Sequence, residues 1–339
     1  MKNIIELQRE LVQAARPSGF ETPQAAILKE LARPFADEIT VDTLGNVICH
    51  KKGPGKRLMI AAHMDVIGFM VTFIDECGFL RFEPLGGHMP ARLVGTPVRT
   101  ESGVCGSIWA DAEAKLAHAK LTDVDVHDLY IDIGAKSREE AERLAPVGSV
   151  CVYDAPVSAV AGGNLMTPYA DDLIGCVTLL LAMEQMGESK NDVYFVFSVQ
   201  EEVGCRGAVT AAWQIDPYMG ISCDVCPTGD TPGEPEHQRM QVALGKGPAV
   251  KIKDGGMQSN PQTVAHLRRA AEAAGVVWQD EILLGGSTDA RSMQVSRSGV
   301  LAGCVSIPCR NVHTPAEMVN LRDVEQAARL LARAAMLEL

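Results

Sequence analysis

Four short apolar runs along the chain each lead into acids or a histidine. Arg57-Leu-Met-Ile-Ala-Ala ends at His63, and Val193-Tyr-Phe-Val-Phe-Ser-Val ends at Gln200-Glu201-Glu202. Gly220-Ile-Ser-Cys ends at Asp224, and Val300-Leu-Ala-Gly-Cys-Val-Ser-Ile runs toward His313. Continuous apolar stretches of this length are the pattern of strands buried on both faces of a parallel sheet. Helical periodicity covers residues 4–15 and 23–36, the latter with Thr22 as its cap and Pro23 in its first turn. It returns over residues 172–186, 263–274 and 321–337. Alternating apolar strands and amphipathic helices predict an α/β fold with a mainly parallel sheet flanked by helices.

From about residue 71 to residue 162 the texture changes to short β-rich pieces separated by glycines. Phe79-Leu-Arg-Phe, Thr96-Pro-Val-Arg-Thr, Val104-Cys-Gly-Ser-Ile, Leu129-Tyr-Ile-Asp-Ile and Ser149-Val-Cys-Val-Tyr have the rhythm of a small β-barrel or sandwich. The expected organisation is therefore a catalytic domain over 1–70 and 163–339, with an inserted β-barrel domain over 71–162. Residues 229–241, rich in Gly, Pro and charge, read as a surface loop.

Composition narrows the classes. At 339 residues the chain is long enough for a large core or two domains. Apolar residues at 47% and charged residues at 22% exclude a disordered or fibrous protein. The net charge of −12, with no basic run, speaks against nucleic acid and anionic membrane as partners. Glu6, Arg9 and Glu10 interrupt what a signal peptide would need as its apolar centre, and no apolar run reaches membrane-spanning length, so a cytoplasmic setting is expected. Ten scattered cysteines agree with reduced thiols, and Cys223-Asp224-Val225-Cys226 reads as packing rather than as a redox pair.

Open α/β sheets place ligand sites at the carboxyl ends of their strands. Collected there, and at an acid doublet opening a helix, are His63, Asp65, Asp171, Asp172, Glu201, Glu202, Asp224 and His313. Taken singly these motifs are ordinary: a strand-end histidine is commonly a hydrogen-bonded one, and Asp171-Asp172 could simply cap a helix. Taken together, two imidazoles and three carboxylates, one of them bridging, suit two divalent cations of the zinc type. Asp65 lies where its carboxylate could orient the His63 ring. In the doublet Glu201-Glu202, one acid can ligate while its neighbour moves a proton.

These residues, read in order, carry a resemblance. Ala61-Ala62-His63-Met64-Asp65, Tyr169-Ala170-Asp171-Asp172 and Gln200-Glu201-Glu202-Val203-Gly204 are followed by Asp224-Val225 and Gly229-Asp230-Thr231-Pro232-Gly233. Leu244-Gly245-Lys246-Gly247-Pro248, Ser287-Thr288-Asp289-Ala290 and His313-Thr314-Pro315-Ala316-Glu317 complete the series. The set resembles the glutamyl/deblocking aminopeptidases, the tetrahedral (TET) dinuclear metallopeptidases, some of which carry an endoglucanase label. The resemblance implies a zinc-peptidase-like catalytic domain and two divalent metal ions per subunit, zinc first, with cobalt and manganese as alternatives. It implies Asp171 bridging the metals, with a cis peptide to Asp172. His63 and Asp224 would complete one site, Glu202 and His313 the other. Glu201 would be the general base for a metal-bridging water, and Asp65 would orient His63. It also implies short peptide substrates and a homo-oligomer, up to a dodecamer built from dimers. Val66 and Leu173 depart from the family's usual Glu and Arg, which touches substrate preference or assembly rather than ligation.

The expected activity is a metal-dependent aminopeptidase. A dinuclear deacylase or carboxypeptidase is the alternative; an endoglucanase, which needs two free carboxyls, and a catalytically idle regulatory protein are further from the pattern. His50, His88, His118, His127, His237 and His266 read as structural or surface residues, and Gly245-Lys246-Gly247 as part of the site's rim rather than a phosphate loop. No Gly-x-Ser-x-Gly elbow is present.

Overall fold

A computed structural model describes residues 2–111, 124–232 and 240–339. His118, His237, Gly233 and most of the 229–241 loop lie outside the described residues. The chain opens with helices Ile4–Ala14 and Thr22–Ala32, then strands β1 (Glu38–Val41), β2 (Val47–Lys51) and β3 (Arg57–His63). Six strands follow: β4 (Gly68–Ile74), β5 (Leu80–Leu85), β6 (Pro97–Thr100), β7 (Cys105–Ala110), β8 (Leu129–Asp132) and β9 (Val150–Tyr153). They close into a barrel in the order β4-β5-β8-β7-β6-β9, so no strand edge is left unpaired. The barrel thus begins at Gly68, just ahead of the change in texture near residue 71, and its last strand ends at Tyr153.

The chain then rejoins the large sheet through β10 (Ser158–Val160) and β11 (Asn164–Thr167), and continues with helix Ala170–Gln185 and β12 (Asp192–Ser198). Helix Arg206–Ile215, β13 (Met219–Pro227), β14 (Ala249–Lys253), helix Pro261–Ala274 and β15 (Gln279–Ile282) follow. Helix Asp289–Gln294, β16 (Leu301–Arg310), β17 (Glu317–Asn320) and helix Leu321–Met336 complete the fold. The eleven strands of this sheet run β1-β2-β12-β3-β13-β16-β17-β11-β10, with β14 and β15 branching from β16. Its centre, β12-β3-β13-β16, is parallel, as the continuous apolar runs predict. The flanking pairs are antiparallel.

Register lines up the chemistry. Ser198 pairs with His63 across β12 and β3, and Asp224 pairs with Ser306 across β13 and β16. Ser222 lies opposite Ala61, which puts Asp224 level with His63. Asp224 is not beyond a strand end as its polarity suggested, because β13 runs on to Pro227 while the adjacent β3 has stopped at His63.

Three sequence expectations are corrected locally. Thr22 is the first helical residue, not the cap; Glu21 takes the cap position without a side-chain cap bond. Its carboxylate instead accepts from the backbone N–H groups of Gly19 and Gln200. Residues 33–36 leave the α-helix, which gives way to a 3₁₀ turn at Arg33–Phe35. Gly245-Lys246-Gly247 is not among the residues lining the cavity over the strand ends; the N–H groups of Gly245 and Gly247 donate instead to the Asp323 carboxylate at 2.7 and 2.8 Å. Val66 and Leu173 are fully buried core residues, so their departures from the family pattern act on packing. All ten cysteines are unpaired, eight of them buried.

Gly247 has φ +96°, and a Cβ there would lie 1.9 Å from the Val277 carbonyl oxygen. Gly247→Ala is expected to cost about 2–4 kcal/mol, read as a lower urea midpoint. Gly285→Ala, whose Cβ meets nothing within 4 Å, is the neutral control.

Candidate metal centre

The site is built around Asp65, a fully buried carboxylate just past β3. It accepts from Ser18 Oγ at 2.6 Å and from the backbone N–H groups of Glu201 and Glu202 at 2.9 and 3.2 Å. Charge-assisted bonds of this kind are the stronger class, and here they fix the turn that presents both glutamates. The expected orienting contact to His63 takes a different form. The Asp65 carboxylate is 3.5 Å from His63 Nδ1, whereas its backbone carbonyl accepts from Nδ1 at 3.0 Å. Either way Nδ1 is engaged, and Nε2 is the nitrogen turned toward the acids.

Asp171 and Asp172 sit where the helix Ala170–Gln185 begins, joined by a cis peptide bond, and neither has helical dihedrals. The Asp171 carboxylate lies between two imidazoles. Oδ1 is 3.1 Å from His63 Nε2 and Oδ2 is 3.2 Å from His313 Nε2. Glu202 Oε1 is 3.4 Å from the same His313 nitrogen. Donor atoms of His63, Asp171 and Glu202 all lie within 4.8 Å of one another, as do those of His63, Asp172 and Asp224. All five expected ligands are therefore brought together, and Asp172 joins Asp224 and His63 more closely than the sequence suggested. Its Oδ2 accepts from the His63 N–H at 3.2 Å. Gly175 makes room for it, since a Cβ there would lie 2.3 Å from Asp172 Oδ1.

Glu317 stands in the last motif of the series, but sequence reasoning assigned it no role. Almost fully buried on β17, it accepts from the Asp171 N–H at 2.9 Å and from the His313 N–H at 2.7 Å. It thereby ties together two of the expected ligands. The available signal was an acid opening a short strand with an apolar middle, Glu317-Met-Val-Asn. The barrel also reaches the centre. A Cβ on Gly87 would lie 3.1 Å from His313 Nδ1, and one on Gly86 3.2 Å from the Glu202 side chain. The two glycines after β5 thus pack directly on His313 and Glu202. His88, next in the chain, bonds to Gly68 O and Tyr153 Oη, and its burial lowers it to about 4.

The electrostatics follow from crowding. Burial first, and neighbouring carboxylates second, push Asp172 and Asp224 well above the usual carboxylate range. Burial likewise raises Glu201, and His63 only partly offsets it. For His313 burial works downward, but Asp171 and Glu202 outweigh it and hold the imidazole up to about 12. Asp172 Oδ1 and Glu202 Oε1 are buried without a hydrogen-bond partner. Unpaired buried carboxylate oxygens are costly unless a cation meets them. The N/O donor set, its two imidazoles and its excess of negative charge fit divalent metal ions.

A cavity of about 590 Å³ opens onto this cluster, with Gly87, Val225, Pro227, Leu283, Gly286 and Val312 among its walls. Lys251 also lines it, paired with Glu281 at 2.5 Å and 3.8 Å from Asp254. Elsewhere, His50 pairs with Asp192 and stacks on Tyr194, and His266 bonds to Ala334 O, so both are structural. His127 is exposed. No helix among the described residues is long and apolar enough to cross a membrane.

Acids and imidazoles gathered at the carboxyl ends of parallel strands, beside a small barrel, form a donor cluster of the kind suited to metal-dependent hydrolysis. A family model for M42 glutamyl aminopeptidase matches residues 45–330, and the chain belongs to that family. It is 35% identical to the lysyl aminopeptidase of Pyrococcus furiosus, over 98% of this chain and 97% of that protein. The TET aminopeptidase structure from a marine sediment Thaumarchaeota archaeon superposes with a TM-score of 0.93 at 36% identity, covering 99% of this chain and 97% of the other. The Pyrococcus horikoshii TET1 peptidase, described as assembling into a tetrahedron or a large octahedral shell, gives 0.87 at 30% identity, over 98% and 99%. The protein is accordingly an aminopeptidase.

Glu317→Ala removes the acceptor shared by two backbone N–H groups. A loss of about 2–4 kcal/mol in chemical denaturation is expected, with a smaller one for Glu317→Gln, which keeps one acceptor.

Proposed function

We propose that this aminopeptidase works with two divalent cations, held by His63, Asp171, Glu202, Asp224 and His313, with Glu201 as its general base. The observation that carries the reading is the Asp171 carboxylate, whose two oxygens face different imidazoles at 3.1 and 3.2 Å. His63 and Asp224 complete one side of that bridge, Glu202 and His313 the other. Zinc suits this donor set, with cobalt and manganese as alternatives.

When bound, the cations supply Lewis-acid polarisation of the scissile carbonyl and acidify a water. The chain's own residues do the rest. Glu201 lines the cavity beside the cluster and, among the described residues, is the acid of the doublet that forms no ion pair with either imidazole. Its carboxylate takes the proton of the attacking water and passes it to the leaving amine nitrogen. Asp65 holds the backbone of both glutamates, so the base and its ligating neighbour keep a set separation. Glu317 does the same for Asp171 and His313. An endoglucanase would need two free carboxyls flanking the scissile bond, and here the acids are committed to the imidazoles and backbone donors. A deacylase or carboxypeptidase is disfavoured by the aminopeptidase kinship.

We further propose a homo-oligomer built from dimers, up to a dodecamer, with active sites facing an interior that admits short peptides. The TET1 relative's assembly supports this, as do the exposed apolar side chains Met89 and Val147. A cytoplasmic setting fits the ten unpaired cysteines.

Metal analysis and kinetics on variants test the roles. Asp171→Ala is expected to weaken both metals, and one site left at full affinity would reject the bridge. Glu201→Gln should keep the metals and lose on the order of 10²–10⁴ in rate, whereas Glu202→Gln should lose metal. A panel of aminoacyl anilides, acyl-amino acids and soluble cellulose should give turnover on the first alone. Light scattering is expected to return a multiple of the 36.3 kDa chain mass, and ready trimming of folded proteins would argue against an enclosed interior.

A further inference from the structure

A third group of metal-type donors adjoins the proposed centre and shares only Glu201 with it. Cys205 caps helix Arg206–Ile215 and is only 2% exposed. Its Sγ lies 3.0 Å from Glu201 Oε1. A carboxylate oxygen of Asp289 falls with these two atoms inside a mutual 4.8 Å. Asp289 is itself 2% exposed; its Oδ2 accepts from Ser198 Oγ, and its Oδ1 is buried without a hydrogen-bond partner. The other neighbours of the thiol, Thr288 O at 3.6 Å and Ser287 Oγ at 4.0 Å, are weaker contacts.

We propose that Glu201, Cys205 and Asp289 form a third, inhibitory site for a thiophilic divalent cation, such as cadmium or zinc beyond the two resident ions. This rests on the reading of Glu201 as the base. A thiolate with two carboxylates is a donor set for such metals and a poor one for magnesium or calcium. The geometry needs little change. For zinc, tetrahedral coordination at about 2.3 Å to sulfur and about 2.1 Å to oxygen spaces the two donors about 3.6 Å apart, so the present pair must open by roughly half an ångström, and somewhat more for the larger cadmium. Access exists, because Glu201, Cys205, Ser287 and Thr288 all line the open cavity. The exchange is a simple substitution: the cation takes the place of the thiol proton, which leaves to solvent, with no change of oxidation state. Once Glu201 Oε1 ligates the third cation, the carboxylate shares its charge with that cation and is a poorer base for the attacking water. Inhibition follows without loss of the resident metals.

The test is a cadmium titration of the protein carrying its resident metals, in a Cys77→Ser/Cys105→Ser background that removes the two exposed thiols. One extra equivalent should bind, with a thiolate-to-cadmium charge-transfer band, as activity falls in parallel. Cys205→Ser, nearly isosteric, should abolish the band and weaken inhibition by at least about tenfold, with Asp289→Asn weakening it too. An unchanged band and inhibition in Cys205→Ser would overturn the site. A band lost in Cys205→Ser while cadmium never inhibits the parent would overturn the inhibitory role. Wild-type activity in Glu201→Gln would instead reject the base assignment, and the band, which needs no turnover, would still decide the site.

Discussion

Buried negative charge is the constraint on which this structure turns. Asp65, Asp171, Asp172, Asp224, Asp289 and Glu317 are all buried along one end of the parallel strands, with Glu201 and Glu202 beside them. Carboxylates this crowded raise one another's proton affinity, and burial adds to the effect. Each is tolerable only through specific compensation. Asp65 takes backbone N–H groups and a hydroxyl, Glu317 takes two N–H groups, and Asp171 takes two imidazoles. Less is done for two oxygens: Asp172 Oδ1 has no hydrogen-bond partner, and Glu202 Oε1 has only the His313 imidazole, at 3.4 Å.

The same logic orders the site into layers. Asp65 and Glu317 both work by holding backbone rather than by meeting substrate. The first grips the glutamate turn after β12; the second grips the start of helix Ala170–Gln185 and the turn carrying His313. Groups far apart in the chain are thereby held at hydrogen-bonding separation, which is what catalysis by preorganised charge needs.

How much of this was legible in the sequence follows from how far each interaction reaches. The strands β3, β12, β13 and β16 could be read directly, since burial on both faces leaves an uninterrupted apolar run. The barrel could be read from its short strands and glycines. The eight clustered acids and imidazoles were legible as types at strand ends, and the family motif ordered them. Asp224 was misplaced only because a carboxylate inside a strand breaks the apolar pattern that marks its length. The Gly245–Gly247 turn was misjudged because Asp323, its partner, lies 78 and 76 residues away. Glu317 was legible as part of the last motif but not in its role, because Asp171, one of its two partners, lies 146 residues away. Cys205 looks like any other helix-start residue until its thiol is seen against Glu201.

The barrel's place in the chain has a consequence for assembly of the centre. His63 and Asp171 are 108 residues apart, and the barrel fills most of that interval. Closing a flexible loop of that length would cost roughly 4 kcal/mol in chain entropy. A folded barrel that enters at Gly68 and leaves after Tyr153 turns most of the interval into a rigid spacer, so little of that entropy is left to lose when the two sides meet. With Gly86 and Gly87 seated on Glu202 and His313, the barrel acts as a tether as well as a wall. Folding of the insertion and cation capture are then thermodynamically linked, and a lesion deep in the barrel would surface first as weakened metal affinity.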